Sequence, residues 1–231
     1  MIYDALASYY DDLVKDDEAT QLWIDFVKKY CPHKKVLELA CGSGEISHGL
    51  QEEGYSIKAT DFSESMISKL KEKYPTVDTA IIDMSNFKYD EKVDGVLCFC
   101  DSINYLSSMD EVRSMFQSVR GCLKDDGVFL FDMHSIDRLD EFKELYIEEG
   151  VLDVPYQWTI QSDENKIYQH FSFYEEDKIL QEQHIQTVFT LDEILPELES
   201  LGFECKVITD FNQDGVCEGE KYFIVARRKV C

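Results

Sequence analysis

Apolar and polar positions along the chain follow two rhythms. In the first half, short apolar runs alternate with stretches of helical spacing. "KKVLELA" is a strand candidate that breaks into a glycine turn, and "GEISHGLQEEG" after it carries one apolar face at helical spacing, with Gly54 as a stop. "YSIKATD" reads as a second strand and "SESMISKLKEKY" as a helix capped by Ser63, with Pro75 just beyond its end. "DTAIID" and "KVDGVLCFC" follow as the third and fourth strands, "SMDEVRSMFQSVRGCLK" as a helix and "GVFLFDMH" as a fifth strand. Such alternation predicts an α/β fold, a doubly wound parallel sheet with its ligand at the C-terminal ends of the strands.

After Glu149 the period shortens to two. "VPYQWTIQ", "KIYQHFSFYE" and "ILQEQHIQTVFT" alternate apolar or aromatic with polar residues around turn-like "SDEN" and "EEDK", which predicts inserted antiparallel strands. "LDEILPELESLGF" returns to helix, and "CKVITDF" and "KYFIVARRK" read as a closing strand pair around "NQDGVCEGE". Ahead of the sheet, "YDALASYYDDLV" and "ATQLWIDFVKKY" read as two helices.

Composition narrows the class of protein. A chain of 231 residues can bury one medium core, and no proline-rich, serine-rich or repetitive stretch marks a linker. The start "MIYDALASYYDD" has no signal-peptide pattern, and no apolar run approaches the roughly 20 residues of a membrane span, so a cytoplasmic protein is expected. The eight cysteines make no CxxC pair and no zinc spacing; they are expected to be free thiols, with Cys98 a small buried residue and no metal bound. A net charge of -24 argues against a polyanionic partner such as nucleic acid, whose binding depends on Lys and Arg neutralising phosphates. The basic clusters Lys28, Lys29, Lys34, Lys35 and Arg227, Arg228, Lys229 read as solvated surface, the first at the wrong edge of the sheet for a ligand.

The chemistry gathers around "VLELACGSGEIS", Val36 to Ser47. Its turn follows a strand and opens a helix, where glycines let backbone approach a nucleotide or nucleoside closely. Ser47 stands where a dinucleotide fingerprint has its third glycine. Asp61, about 20 residues farther on, closes the second strand, where a carboxylate can accept both hydroxyls of a ribose. Glu38, inside the first strand, would repel a pyrophosphate and suit a cationic amine. Asp83 ends the third strand, placed to accept from an adenine amino group. A ligand with adenine, ribose and a cationic amino-acid end, S-adenosyl-L-methionine, fits these acids better than NAD does.

With "IKATDFSESMI", "AIIDMSNF", "VDGVLCFCDSINYL" and "GVFLFDMH" following in order over about residues 36 to 134, the chain resembles the class I S-adenosylmethionine-dependent methyltransferases. The resemblance implies a Rossmann-like, seven-stranded, mostly parallel sheet. It implies Gly42 and Gly44 for close backbone approach, Glu38 for the methionine end, Asp61 for the ribose, Asp83 and the Met84 backbone for adenine, and Cys100 with Asp101 beside the methionyl group. Ala40, Phe62 and Met66 belong to the same implied cofactor set. Within the family the chain looks most like bacterial small-molecule enzymes of the branch holding sugar-amine and glycine N-methyltransferases. "YDALASYYDDL" resembles their lid helix, with Tyr3, Tyr10 and Asp11 at the matching places. "CDSINYL" replaces the Asn/Asp-Pro-Pro-aromatic motif of adenine- or glutamine-amide methylation, which loses support. The expected organisation is residues 1–149 as lid helices and cofactor-binding core, 150–190 as inserted strands serving as substrate cover or dimer face, and 191–231 as the helix and strand pair that complete the core.

Methyl transfer to N or O of a small-molecule acceptor is the leading expectation. Catalytic candidates are His134 at the end of the fifth strand, as a base, with Tyr10 and Tyr105. His134 could equally be a structural histidine satisfied by its neighbours. His170 and His184 could line a substrate pocket, and Trp158, Tyr156 and Tyr168 form either an aromatic wall or packing in a core or dimer face. An RNA methyltransferase and a non-catalytic cofactor-binding regulator stay open as alternatives; an NAD-dependent dehydrogenase ranks behind them because of Glu38 and Ser47.

Overall fold

The structure is a computed structural model that describes Tyr9, Leu13 and residues 16–229. The first expected N-terminal helix lies outside the described residues apart from Tyr9 and Leu13. The second is α1 (Asp17–Tyr30), started by Asp16, whose carboxylate accepts from the Ala19 N–H, and burying Ile24, Phe26 and Val27.

The alternating half forms β1 (Lys35–Glu38), α2 (Glu45–Glu52), β2 (Ser56–Asp61), α3 (Glu64–Lys73), β3 (Asp78–Ile81), β4 (Val93–Cys98), a 3-10 turn (Ser102–Tyr105), α4 (Met109–Cys122) and β5 (Leu123–His134). Ser63 caps α3 and Ser108 caps α4 through their hydroxyls. After α5 (Asp137–Glu141) come β6 (Tyr146–Val151), β7 (Pro155–Asp163), β8 (Lys166–Tyr174) and β9 (Ile179–Thr187). The chain ends with α6 (Leu191–Ser200), β10 (Phe203–Thr209), β11 (Gln213–Asp214) and β12 (Lys221–Arg228).

The main sheet runs β11-β10-β12-β5-β4-β1-β2-β3. Its β3-β2-β1-β4-β5 half is parallel, while β12 enters antiparallel between β5 and β10. Seven of these strands match the expected sheet. The eighth, β11, is a two-residue addition: Asp210 and Phe211 take φ of 46° and 67°, and that left-handed turn folds Gln213 and Asp214 back onto Ile208 and Thr209. Neighbouring residues of one strand serve opposite layers. Leu37 packs with α4 and α6 through Phe116 and Leu198, and Val36 with α1, α2 and α3 through Val27, Leu50 and Leu70. Burial on both faces is why the central strands read as unbroken apolar runs.

The four strands β6-β7-β8-β9 form a separate antiparallel sheet. It has one strand more than the alternation predicts, because β6, "YIEEGV", sets two acids and a glycine side by side and shows no clear period of two. The sheet is fastened to the core at the end of β9, where the buried Asn104 side-chain amide donates to the Thr187 carbonyl at 2.7 Å. Among the described residues, no helix is long and apolar enough to cross a membrane.

Candidate active site

At the C-terminal ends of β1, β2 and β4, beneath the antiparallel sheet, lies a cavity of about 590 Å³. One end is built from the β1 turn. Glu38 ends β1 only 2% exposed, and the Ser47 hydroxyl donates to its carboxylate. Burial pushes Glu38 up to about 7, against the pull of the Ser47 hydrogen bond and with the charge of Asp61 adding to the rise. Ser47 therefore has a task that the missing third glycine concealed. The turn passes through left-handed backbone at Ala40, Gly42 and Gly44, with φ of 53°, 54° and 89°. A Cβ at Gly44 would stand 2.5 Å from Leu70 Cγ, so the turn is packed hard against α3.

Asp61 ends β2 and is bound to the same turn. Its Oδ2 accepts from the Gly42 N–H at 2.9 Å and its Oδ1 from the Ser63 N–H at 2.8 Å. Burial raises its pKa and these backbone donors oppose the rise. Phe62 beside it is 62% exposed, an apolar ring at the mouth of the cavity. Asp83 accepts from the Ser85 N–H at 2.9 Å and shares its wall with Ile82 and Met84. Met66 stands apart: it is fully buried in α3 and does not line the cavity. Tyr3, Tyr10 and Asp11 lie outside the described residues.

Behind the β4 turn sits a charged cluster. Cys100 and Asp101 line the cavity in left-handed backbone, φ 56° and 54°. The Asp101 N–H donates to Asp132 Oδ1 at 2.8 Å, and Trp23 Nε1 donates to Asp132 Oδ2 at 2.9 Å. Lys221 pairs with Asp101 and stands 3.9 Å from Asp132 Oδ2. Burial opposes charge on Asp101, but Lys221 and His134 outweigh it and hold the carboxyl down to about 2. His134, 4% exposed, takes its place by a backbone N–H to Asn104 Oδ1 at 3.0 Å and a contact from Nε2 to Gln186 Oε1 at 3.0 Å; Asp101 Oδ2 is 3.8 Å from the same nitrogen. Sequence reasoning missed Asp132, Lys221 and Trp23. Asp132 had a signal, a lone acid inside the apolar "FLFDMH" that repeats the situation of Glu38 in β1; Lys221 and Trp23 had none.

The antiparallel sheet walls the far end with Trp158, Ile160, Gln169, Phe171, His184 and Gln186. Trp158 stacks on Phe171 with ring centroids 5.3 Å apart. Tyr105 and His184 face each other across the cavity wall, hydroxyl to Nδ1 at 2.7 Å. Tyr156 packs instead with Tyr9, Phe171 and Phe173 and bonds Glu148, while His170 is exposed and, like Tyr168, does not line the cavity.

Seven acids line this cavity against a single Lys or Arg among the described residues, Arg138. That balance rejects a pyrophosphate and fits a hydroxyl-bearing, cationic nucleoside. A profile of the methyltransferase domain family matches residues 36–127. Over 242 aligned residues the chain is 31% identical to YqeM of Bacillus subtilis (strain 168), which bears a provisional methyltransferase name; the match covers 99% of this chain and 98% of that protein. The chain belongs to the class I S-adenosylmethionine-dependent methyltransferases. A solved S-adenosylmethionine-dependent methyltransferase from Clostridium acetobutylicum ATCC 824 matches this methyltransferase with a TM-score of 0.84 at 25% identity, over 98% of both chains. The sugar N-methyltransferase KedS8 from Streptoalloteichus sp. ATCC 53650 shares the fold, with a TM-score of 0.79 at 18% identity over 99% of this chain and 94% of that one. In the methyltransferase frame, the Glu38, Asp61 and Asp83 end of the cavity is suited to the cofactor, and the wall of the antiparallel sheet stands opposite it.

Proposed function

We propose that this methyltransferase alkylates a nitrogen or oxygen of a small molecule held under the antiparallel sheet. One observation carries the reading: the cavity that holds the cofactor-type acids is the same one walled by Trp158, Gln169, Phe171 and Gln186. An acceptor must fit inside that enclosure, which favours a small molecule over a folded RNA. The net charge of -24 points the same way.

When bound, the cofactor offers a methyl carbon on a sulfonium, which leaves as a neutral thioether with the carbon–sulfur electron pair while the acceptor's lone pair bonds the methyl. What remains for the protein is position and dryness. Glu38 and the Gly42–Gly44 turn suit an ammonium and a closely approaching chain, Asp61 suits the ribose hydroxyls, and Asp83 with Met84 suits adenine. Trp158 and Phe171 supply a flat apolar face that keeps water from the acceptor, with Gln169 and Gln186 as polar contacts for it.

The test is incubation with methyl-labelled cofactor and a cell extract separated into RNA, protein and small molecules. Label is expected in the small-molecule fraction. Label in RNA would overturn the reading, and a protein that binds cofactor but labels no fraction would instead be a cofactor-binding regulator.

A further inference from the structure

Two histidines reach this cavity, and their hydrogen bonds give them opposite roles. The proton on His134 follows from a donor-only neighbour. Trp158 Nε1 can only donate, and it meets Gln169 Oε1 at 3.2 Å; the Gln169 amide nitrogen then donates to Gln186 Oε1 at 2.7 Å. The same Gln186 oxygen faces His134 Nε2 at 3.0 Å, so that nitrogen carries a proton and donates. Its Nδ1 is buried with no hydrogen-bond partner among the described residues. His134 is thus a donor at one nitrogen and closed off at the other, and takes no proton from an acceptor.

His184 is wired the other way. Its Nε2 stands 2.7 Å from Glu182 Oε1, and a carboxylate only accepts, so Nε2 carries the proton and Nδ1 presents its lone pair. Tyr105 donates its hydroxyl proton to that lone pair at 2.7 Å. The side chains of His184 and Glu182 are 2% and 7% exposed, and Phe171 packs edge-on against the imidazole at 5.3 Å. Asn104, one residue before Tyr105, bonds the Thr187 carbonyl and so fixes the 3-10 turn against β9. Tyr105 and His184 line the cavity; Glu182 backs them from outside it.

We propose that Tyr105, His184 and Glu182 form the proton relay for the methyl acceptor, with Tyr105 as the catalytic residue and the other two as its support. A nitrogen or oxygen that gains a methyl becomes acidic and must lose its proton. That proton passes to the Tyr105 oxygen, the Tyr105 hydroxyl proton passes to His184 Nδ1, and the imidazolium formed stands against the Glu182 carboxylate. Tyr105 ends neutral, and the positive charge brought in by the cofactor comes to rest on a paired histidine. The buried acid behind the base supplies the orientation that nucleophile–base–acid triads use. The inference rests on the small-acceptor reading above.

Long-range proton–nitrogen NMR of the uniformly labelled protein with S-adenosylhomocysteine, at about pH 8 where an ordinary imidazole is neutral, reads the tautomers directly. The expected result is protonated Nε2 on both His134 and His184, with Tyr105→Phe moving the His184 Nδ1 resonance alone. Protonated Nδ1 on His184 would overturn the relay, and this measurement on the unaltered protein needs no variant to fold. On the labelled small-molecule fraction, Tyr105→Phe should lower the transfer rate by about 100-fold or more, with cofactor affinity unchanged. Glu182→Gln should lower the rate without changing cofactor affinity. Wild-type rates in both variants would overturn the relay while leaving the small-acceptor reading intact; label in RNA from the unaltered protein would instead sink that reading.

Discussion

Placed at the methionine end of the cofactor as proposed, Glu38 would couple cofactor binding to acidity. Its carboxyl ionises near 7 in the folded chain against an ordinary 4.5, so between those values the folded state keeps a proton that the unfolded state has lost. Stability of the ligand-free protein therefore falls as pH rises through that window. Glu38→Gln removes the penalty and should raise the thermal midpoint at about pH 8, a gain on the order of 3–4 kcal/mol by the size of the shift. Cofactor affinity should show the opposite trend. An ammonium group favours the ionised carboxylate, so calorimetry should find tighter binding as pH rises from about 6 to 8, and the Gln variant should lose both affinity and that slope. Asp61 is the second such handle. Asp61→Ala removes an acceptor that also ties Gly42 and Ser63, and calorimetry should show cofactor binding weakened by about 10- to 100-fold.

At the scale of elements, the β1–α2 turn is the most constrained piece. Gly44→Ala would force a side chain into left-handed backbone and onto Leu70 of α3, and urea unfolding should record a loss of about 1–3 kcal/mol. This turn was also the most legible part of the sequence, because its demands are local: a buried strand, a left-handed glycine and a helix start follow one another in the chain. The same holds for Ser63 and Ser108, whose caps sit within three residues of the N–H groups they serve. Legibility ends where partners lie far apart. Asp132 meets Trp23 across 109 positions and Tyr105 meets His184 across 79, and no periodicity reports such pairings. Strand β6 was hidden for a different reason: four of its six residues are exposed and Glu148 and Glu149 are adjacent, so the alternation that betrays β7 to β9 is missing. His134 looked like a base from its position at a strand end; the glutamines that commit its Nε2 come from β8 and β9, in the segment whose contacts sequence could not assign.

For the molecule as a whole, two charge effects act at different depths. At the surface, a net charge of -24 makes the folded chain repel itself, so its thermal midpoint should rise as salt goes from roughly 0.05 M to 0.5 M. Inside, Lys221 balances Asp101 and Asp132, both drawn from the other half of the sheet. Lys221→Met would strand two acids with no cation between them, and the expected cost is about 3–5 kcal/mol in chemical denaturation.

That lysine opens β12, the last strand of the sheet, yet it wedges beside β5 against the loop after β4. On the ribosome, then, the segments carrying Asp101 and Asp132 emerge before the lysine that balances them. A nascent chain halted before Lys221 would hold that pair of acids without their lysine, so the charge cluster behind the β4 turn is assembled only once β12 has been made.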